Sequence, residues 1–339
     1  MSAMQSAPKD SLPSISMALV GCGMWGRNIA RNLGELNLLA GVCDTNSDNA
    51  NSFAAAFNVP AYRLEEILAD DAISALAITS PAQSHCQIAC AALAAGKHVY
   101  IEKPMAMSLD EARQIETAAL QAEKQVMIGH LIRYHPGFIA LADQLEKGII
   151  GEIYHIQANR LAMGRIRDTE SVLLDLCPHD LSLILSIMKQ QPAYLVCHGI
   201  SHITAGIADS VTTSMRFSSG ITAQMQTSWI HPVKEHKFTV TGSKGSIVFD
   251  DTRPWHEKLC VYSDNITSDN GVFSIERAPA YYIELEEDEP LKCEMRAFAT
   301  SCASNIPAPT GLAEGLAVQQ TLETMMTHYI DISSAGRNG

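Results

Sequence analysis

The chain has 339 residues, 47% of them hydrophobic and 18% charged, with a formal net charge of −13. That length exceeds one small core and predicts two domains, and the composition excludes a disordered chain. The acidic balance, with no lysine–arginine block, excludes nucleic acid as a partner, because such binding depends on neutralising phosphates.

Residues 1–14 are expected to form a disordered leader. Ser16 to Val20 reads as a first strand, Gly26 to Leu36 as a first helix, and Leu38 to Cys43 as a second strand ending at Asp44. Ser47 is placed to cap a helix running to Phe57. Ala75 to Thr79 is a further buried strand, followed by a helix near Gln83 to Ala95. His98 to Ile101 is a β-branched and aromatic run, ended by Lys103-Pro104, since proline cannot donate to a sheet ladder. Ser108 with Glu111 is a capping box for a helix to about Glu123, and Val126 to Gly129 is the next strand. Alternating strands and helices predict a Rossmann-type, doubly wound parallel sheet over residues 15–130.

After His130 the pattern changes. Pro136 to Lys147 is a helix, Ile153 to Leu161 a strand, and Leu174 to Met188 one apolar helix, with Pro178 tolerated in its first turn. Ala193 to Val261 predicts a large open, mostly antiparallel sheet covered by helices on one face. Val211, Met215 and Met225, at period two, are expected on the uncovered face, which would make it a sheet-on-sheet interface of a homodimer or homotetramer. Helices near Leu291 to Ser304 and Gly311 to Tyr329 close an α/β substrate and oligomerisation domain over residues 131–339.

Nine cysteines are scattered, odd in number and without Cys-x-x-Cys spacing. This argues against a disulfide framework or a zinc site, and no metal is expected. The polar Met1 to Pro13 lacks a signal pattern and no apolar run reaches transmembrane length, so no membrane association and a cytoplasmic location are expected.

Gly21-x-Gly23-x-x-Gly26 follows an apolar strand and opens a helix, and Asp44 lies 18 residues past the third glycine. That context makes it a dinucleotide fingerprint: a tight turn, a close pyrophosphate approach, and a helix N-terminus facing the anion. Asp44 would accept the ribose hydroxyls and repel a 2′-phosphate, which favours NAD over NADP unless Arg27, Arg31 or Arg63 intervenes. Trp25 suits either packing over the cofactor or packing in the core. Lys103, at the carboxyl end of a parallel strand, lies where open α/β sheets bind ligands.

The glycine motif, Ile78-Thr79-Ser80-Pro81 with His85, Gly96-Lys97-His98 through Glu102-Lys103-Pro104, and Asp175-x-x-x-His179 together resemble the glucose–fructose oxidoreductase/inositol dehydrogenase/rhizopine-catabolism superfamily over essentially the whole chain. The resemblance implies an NAD site formed by Gly21, Gly23, Met24, Trp25, Gly26 and Asp44, with Thr79, Ser80, Pro81, His85, Glu102 and Lys103 beside it. It also implies catalysis by Lys103, Asp175 and His179. His179 is the first choice as general base, since the reference pKa of a histidine lies near operating pH; Lys103 would donate to the reacting oxygen, and Asp175 would orient the imidazole or bind a neighbouring hydroxyl. The base role stays open between His179 and Lys103. Where the family helix is entered through glycines, this chain has Ser171-Val172.

Arg160, Arg165 and Arg167 place three guanidinium groups within eight residues of an acidic chain, which suits an anionic substrate; a solvated loop with surface ion pairs is the alternative. Tyr134, His135, Trp229 and Lys234 are further candidate substrate contacts, together with His179. Tyr134-His135-Pro136, Asn159-Arg160-Leu161, Pro178-His179-Asp180 and Ser228-Trp229 with Pro232-x-Lys234-Glu235 resemble the nucleotide-sugar 3-dehydrogenase branch, whose members oxidise C3 of sugars such as UDP-N-acetylglucosamine. The implied partner is a pathway aminotransferase that aminates the 3-keto product toward a 2,3-diamino sugar of lipid A or surface polysaccharide. A UDP-N-acetylglucosaminuronate dehydrogenase, an inositol or polyol dehydrogenase, and a non-catalytic binding module remain as alternatives.

Overall fold

A computed structural model describes residues 15–164, 166–167 and 170–333, so the expected leader and Arg165 lie outside the described residues. The chain divides into two compact units, Met1–Tyr134 with Asp288–Gln319, and His135–Glu287 with Gln320–Gly339.

The first unit contains five parallel strands: β1 (Met17–Val20), β2 (Leu39–Cys43), β3 (Ala75–Ile78), β4 (His98–Ile101) and β5 (Val126–Ile128). Their order is β2-β1-β3-β4-β5, so the chain reverses direction of travel across the sheet between β1 and β3. Such a switch point opens a crevice at the carboxyl ends of the strands. Side-chain alternation sends Leu76, Ile78, Val99 and Ile101 into one core and Met17, Leu19, Ala77 and Tyr100 into the other. The connecting helices are α1 (Met24–Glu35), α2 (Ser47–Phe57), α3 (Leu64–Ala69), α4 (His85–Ala94) and α5 (Leu109–Ala122).

Two local expectations change. The α2 cap is Asn46, whose side chain accepts from the amides of Asp48 and Asn49, and Ser47 is the first helical residue. At α5, Ser108 accepts from the Glu111 amide, but the Glu111 carboxylate accepts from Met107 rather than closing the box. Helix α3 has no counterpart in the sequence reading; it is a short element begun by the Arg63–Glu66 pair.

In the second unit, α6 (Pro136–Glu146), α7 (Val172–Asp175) and α8 (Cys177–Met188) pack with a mixed sheet. Its strands are β6 (Ile153–Met163), β7 (Tyr194–Ile200), β8 (Ser210–Arg216), β9 (Thr222–Ser228), β10 (Ile230–Gly242), β11 (Gly245–Asp250) and β12 (Leu259–Tyr262). A β13–β14 hairpin (Asn265–Asp269, Val272–Glu276) follows, and β15 (Tyr281–Tyr282) ends the sheet on one side. The chain returns to the first unit through α9 (Pro290–Ser304) and the start of α10 (Leu312–Thr327), then adds β16 (Tyr329–Asp331) at the other side. The nine-stranded order is β15-β12-β11-β10-β6-β9-β8-β7-β16, antiparallel except for the β6–β9 and β7–β16 pairs.

Three corrections follow. The segment Asp288–Gln319 packs with the first unit and not with the substrate domain to which 131–339 had been assigned; Met295 and Phe298 of α9 bury against Tyr100 and its neighbours. The single helix expected from Leu174 is two helices that meet at Leu176, because Pro178 has no amide hydrogen to donate back to the Leu174 carbonyl. Finally, Val211, Met215 and Met225 are buried, in register with Ala158 and Ala223 on the helix-covered face. The alternate positions Gln157, Gln224 and Gln226 are exposed, with Thr212 and Ser214 between them, so the opposite face is polar over β6, β8 and β9. The period-two pattern located the strands but not which face met the helices.

Candidate active site

In the first unit, the loop between β1 and α1 passes close to the β3 end. Gly21 has φ +107°, and a Cβ there would lie 2.5 Å from the Ser80 amide nitrogen; one on Gly26 would lie 2.2 Å from the Gly21 carbonyl oxygen. Only glycine fits either position. A Cβ on Gly23 would meet nothing within 4 Å, and Gly23 begins α1 with no side-chain cap. The loop therefore leaves open space at unsatisfied helix N-terminal amides, the arrangement that receives a diphosphate. The Thr79 hydroxyl donates to the Gly21 carbonyl at 2.6 Å and locks the loop onto β3.

Asp44 sits at the end of β2, half-buried. Its carboxylate accepts the Cys22 amide at 2.7 Å and the Asn46 amide at 2.8 Å. It thus ties the glycine loop to β2, a task the sequence reading did not assign to it. The three arginines that could draw in a 2′-phosphate are engaged nearby: Arg31 with Glu35 and Glu289, Arg63 with Glu66, and Arg27 over the Phe53 ring at 4.7 Å.

Beyond β4, Glu102 is buried. Its Oε1 accepts from the Trp25 indole and from the Tyr100 hydroxyl at 2.9 Å, and its Oε2 accepts the Lys103 amide at 3.2 Å. Trp25 is thereby fixed through its ring nitrogen while remaining 39% exposed; Met24 beside it is 77% exposed. His85 is buried, with its Nδ1 2.9 Å from the Pro104 carbonyl oxygen and its Nε2 2.9 Å from the Ser80 carbonyl oxygen. It links the Ser80-Pro81 turn to the Lys103-Pro104 turn, and the residue is a structural bridge as well as a neighbour of the loop. Tyr134, expected to touch substrate, is instead buried in this unit, its hydroxyl 2.9 Å from that of Thr310.

In the second unit, Asp175 ends α7 and His179 lies in the first turn of α8, half-buried. The Trp229 indole donates to Asp175 Oδ2 at 3.1 Å, and Arg167 donates to Oδ1 at 3.1 Å. Trp229 is itself only 2% exposed, so it acts on Asp175 rather than as an open wall. Arg167 also approaches Glu170 at 3.5 Å. Lys234 is exposed on β10.

Two further candidates are displaced. Arg160 is buried and forms a two-pronged pair with Asp180, so its guanidinium is spent inside the unit. His135 is 3% exposed; its Nδ1 accepts the Gly137 amide at 2.9 Å and its Nε2 faces Asp251 at 3.1 Å, while its ring stacks on Trp255. It caps α6. The sequence signal that could have found both is position: Arg160 follows Ala158 at period two on the buried face, and His135 directly precedes a helix-opening proline.

An uncapped glycine loop, an acid at the end of β2 and a lysine after β4 define a nicotinamide-dependent oxidoreductase. The chain belongs to the GFO/IDH/MocA oxidoreductase family: residues 15–130 match its NAD-binding Rossmann domain and residues 138–248 its C-terminal domain. Its cofactor is NAD. The chain is 30% identical over 62% of its length to the UDP-N-acetylglucosamine 3-dehydrogenase of Acidithiobacillus ferrooxidans, and that alignment spans 66% of the relative. It is 24% identical to the myo-inositol 2-dehydrogenase of Thermotoga maritima, over 88% of this chain and 91% of that one. The solved structure of the Acidithiobacillus ferrooxidans 3-dehydrogenase superposes with a TM-score of 0.82, at 24% identity, over 94% of this chain and 98% of that chain, and shares the fold. No helix among the described residues is long and apolar enough to cross a membrane.

Proposed function

We propose that the protein is an NAD-dependent dehydrogenase of a sugar hydroxyl, and that its substrate is a UDP-sugar oxidised at C3, first of all UDP-N-acetylglucosamine. The observation that carries the chemistry is the arrangement around Asp175: a carboxylate held at both oxygens by Trp229 and Arg167, four residues before His179. The sugar-nucleotide assignment is supported by the 30% identical relative.

NAD, when bound, supplies the hydride acceptor. Gly23 and the amides at the start of α1 would receive the pyrophosphate, Gly21 and Gly26 would shape the turn that leaves room for it, Thr79 would fix the loop, and Asp44 would meet the adenosine ribose. Met24, Trp25, Ser80, Pro81, His85 and Glu102 border the remainder. Lys103 donates a hydrogen bond to the carbinol oxygen and favours its ionisation. His179 takes the hydroxyl proton, since imidazole titrates near operating pH. Asp175, held rigid, accepts a neighbouring hydroxyl or steadies the imidazole. Lys234 and Arg165, with Arg167 as far as its pair with Asp175 allows, are the cations proposed for an anionic substrate part. The 3-keto product would pass to an aminotransferase in the cytoplasm, toward a 2,3-diamino sugar of lipid A or surface polysaccharide, and the protein would work as a homodimer or homotetramer.

A second reading, a free polyol such as inositol, is favoured by the loss of Arg160 to its internal pair, which leaves fewer cations for a diphosphate. Absorbance of NADH formed with UDP-N-acetylglucosamine, pulled by an aminotransferase that removes the ketone, separates the two. Equal or faster turnover of inositol or glucose would overturn the nucleotide-sugar assignment. One bidentate arginine contact is worth about 1.5–3 kcal/mol, so Arg167→Ala should raise KM by roughly tenfold or more for the nucleotide sugar, and, because Arg167 also holds Asp175, should lower kcat as well.

A further inference from the structure

Inside the first unit, α9 carries an acid that the dehydrogenase chemistry does not use. Glu294 is 0% exposed, and its Oε1 has no hydrogen-bond partner among the described residues. Its Oε2 lies 3.1 Å from the Tyr100 hydroxyl, and that same hydroxyl lies 2.9 Å from Glu102 Oε1. A phenol has one hydrogen. It can donate to one carboxylate only, so two ionised acids would leave one contact as lone pair against lone pair in a dry interior. A second proton is required, and it must sit on one of the two acids.

The surroundings decide which. Burial raises the Glu102 carboxyl as well, but Glu102 receives the Trp25 indole, the Tyr100 hydroxyl and the Lys103 amide, and these together with the Lys103 charge favour its ionised form. Among the described residues, Glu294 receives a hydrogen bond only from Tyr100. The other titratable groups around it are Glu102 and Tyr100 from β4 and its end, Glu314 from α10, and Tyr134 from the 131–134 turn; beyond them His130 contacts Glu314, and Arg133 is near enough for the two charges to interact. Burial first, and then the charges of Glu102 and Glu314, push its carboxyl well above the usual carboxylate range. A neutral acid also lessens the cost of the unpartnered Oε1, which becomes a carbonyl oxygen rather than half of an anion.

We propose that Glu294 is a positioning residue held as the neutral acid, whose own proton leaves the Tyr100 hydrogen to Glu102 and so fixes Glu102 against Trp25, beside Lys103. The chain runs Glu294 Oε2–H to Tyr100 Oη, and Tyr100 Oη–H to Glu102 Oε1. Loss of the Glu294 proton at alkaline pH makes the two carboxylates compete for the Tyr100 hydrogen, and the Glu102–Trp25 contact at the edge of the NAD site loosens.

Infrared difference spectra of the cofactor-free protein near neutral pH, native minus Glu294→Gln, should show the carbonyl band of one protonated carboxyl. This readout does not depend on any substrate. NADH affinity, read by quenching of the Trp25 emission, should fall roughly fivefold from neutral to alkaline pH in the native protein, the worth of one hydrogen bond. The fall should be absent in Glu294→Gln, whose amide donates at every pH, and in Tyr100→Phe, which removes the shared hydrogen and keeps the measurement available if Glu294→Gln fails to fold. An unchanged carboxyl band in Glu294→Gln, or an alkaline fall that persists in either variant, would overturn the proposal.

Discussion

Arg160 of β6 and Asp180 of α8 form a buried two-pronged ion pair, Nε to Oδ2 at 3.0 Å and Nη2 to Oδ1 at 2.8 Å. The pair clamps the helix that carries His179 to the sheet beneath it. Removing one partner of a buried pair strands the other charge, at a cost of about 3–5 kcal/mol. Arg160→Ala should therefore lower the unfolding midpoint in denaturant and not behave as a substrate-binding variant. The double change Arg160→Met with Asp180→Leu should regain most of the loss. A fully stable Arg160→Ala protein with only a raised KM would return Arg160 to the substrate.

A second electrostatic cluster sets an acid limit on stability. Burial pushes the Asp251 carboxyl up, but hydrogen bonds from His135 and Lys258 outweigh it and hold the group well below the usual carboxylate range. A depressed folded-state value means that the unfolded chain binds more protons, so this stabilisation is present above the ordinary aspartate value near 4 and is lost as pH falls through the folded one. Asp251→Asn should lower stability at neutral pH and flatten its decline on acidification, measured by denaturant melts at several pH values. Parallel decline in both proteins would remove Asp251 as a cause.

Most of the first unit was legible because its signals are local. The Gly21, Gly23 and Gly26 spacing, the four-residue apolar strands and the Lys103-Pro104 stop are each set by backbone sterics and strand pairing within a few residues. Less was legible where the answer depends on distant partners. Arg160 and Arg167 look alike in sequence, yet one faces Asp180 inside the unit and the other reaches Asp175. Period two shows that Val211 and Met215 share a face with each other, but only the packing of α7 and α8 decides that this face is the covered one. The return of α9 to the first unit rests on Glu294, Met295 and Phe298 meeting Tyr100, a contact about two hundred residues apart in the chain.

The cofactor preference is expected to be for NAD. Asp44 repels an added phosphate, and Arg27, Arg31 and Arg63 are each paired elsewhere. Fluorescence titration should give tighter binding of NADH than of NADPH. Because Asp44 also holds the Cys22 amide, Asp44→Ala should weaken both dinucleotides while narrowing the gap between them. Tighter NADPH binding by the native protein would reverse the assignment.

The chemistry is expected to separate cleanly from cofactor binding. Lys103→Ala and His179→Ala should each lower kcat by about 10²–10⁴-fold, the usual worth of acid–base groups, with the NADH Kd changed by less than about threefold. Both side chains are assigned to the carbinol and neither to the dinucleotide phosphates, which is why the effect should fall on kcat. The identity of the base is read from pH. A base must be deprotonated to act, so kcat/KM rises through its titration and gives an acidic limb. If His179 is the base, that limb disappears in His179→Ala and survives in Lys103→Ala. The opposite result would transfer the base role to Lys103 and leave His179 as a hydrogen-bonding partner of the substrate, and losses below tenfold in both variants would remove the pair from the mechanism.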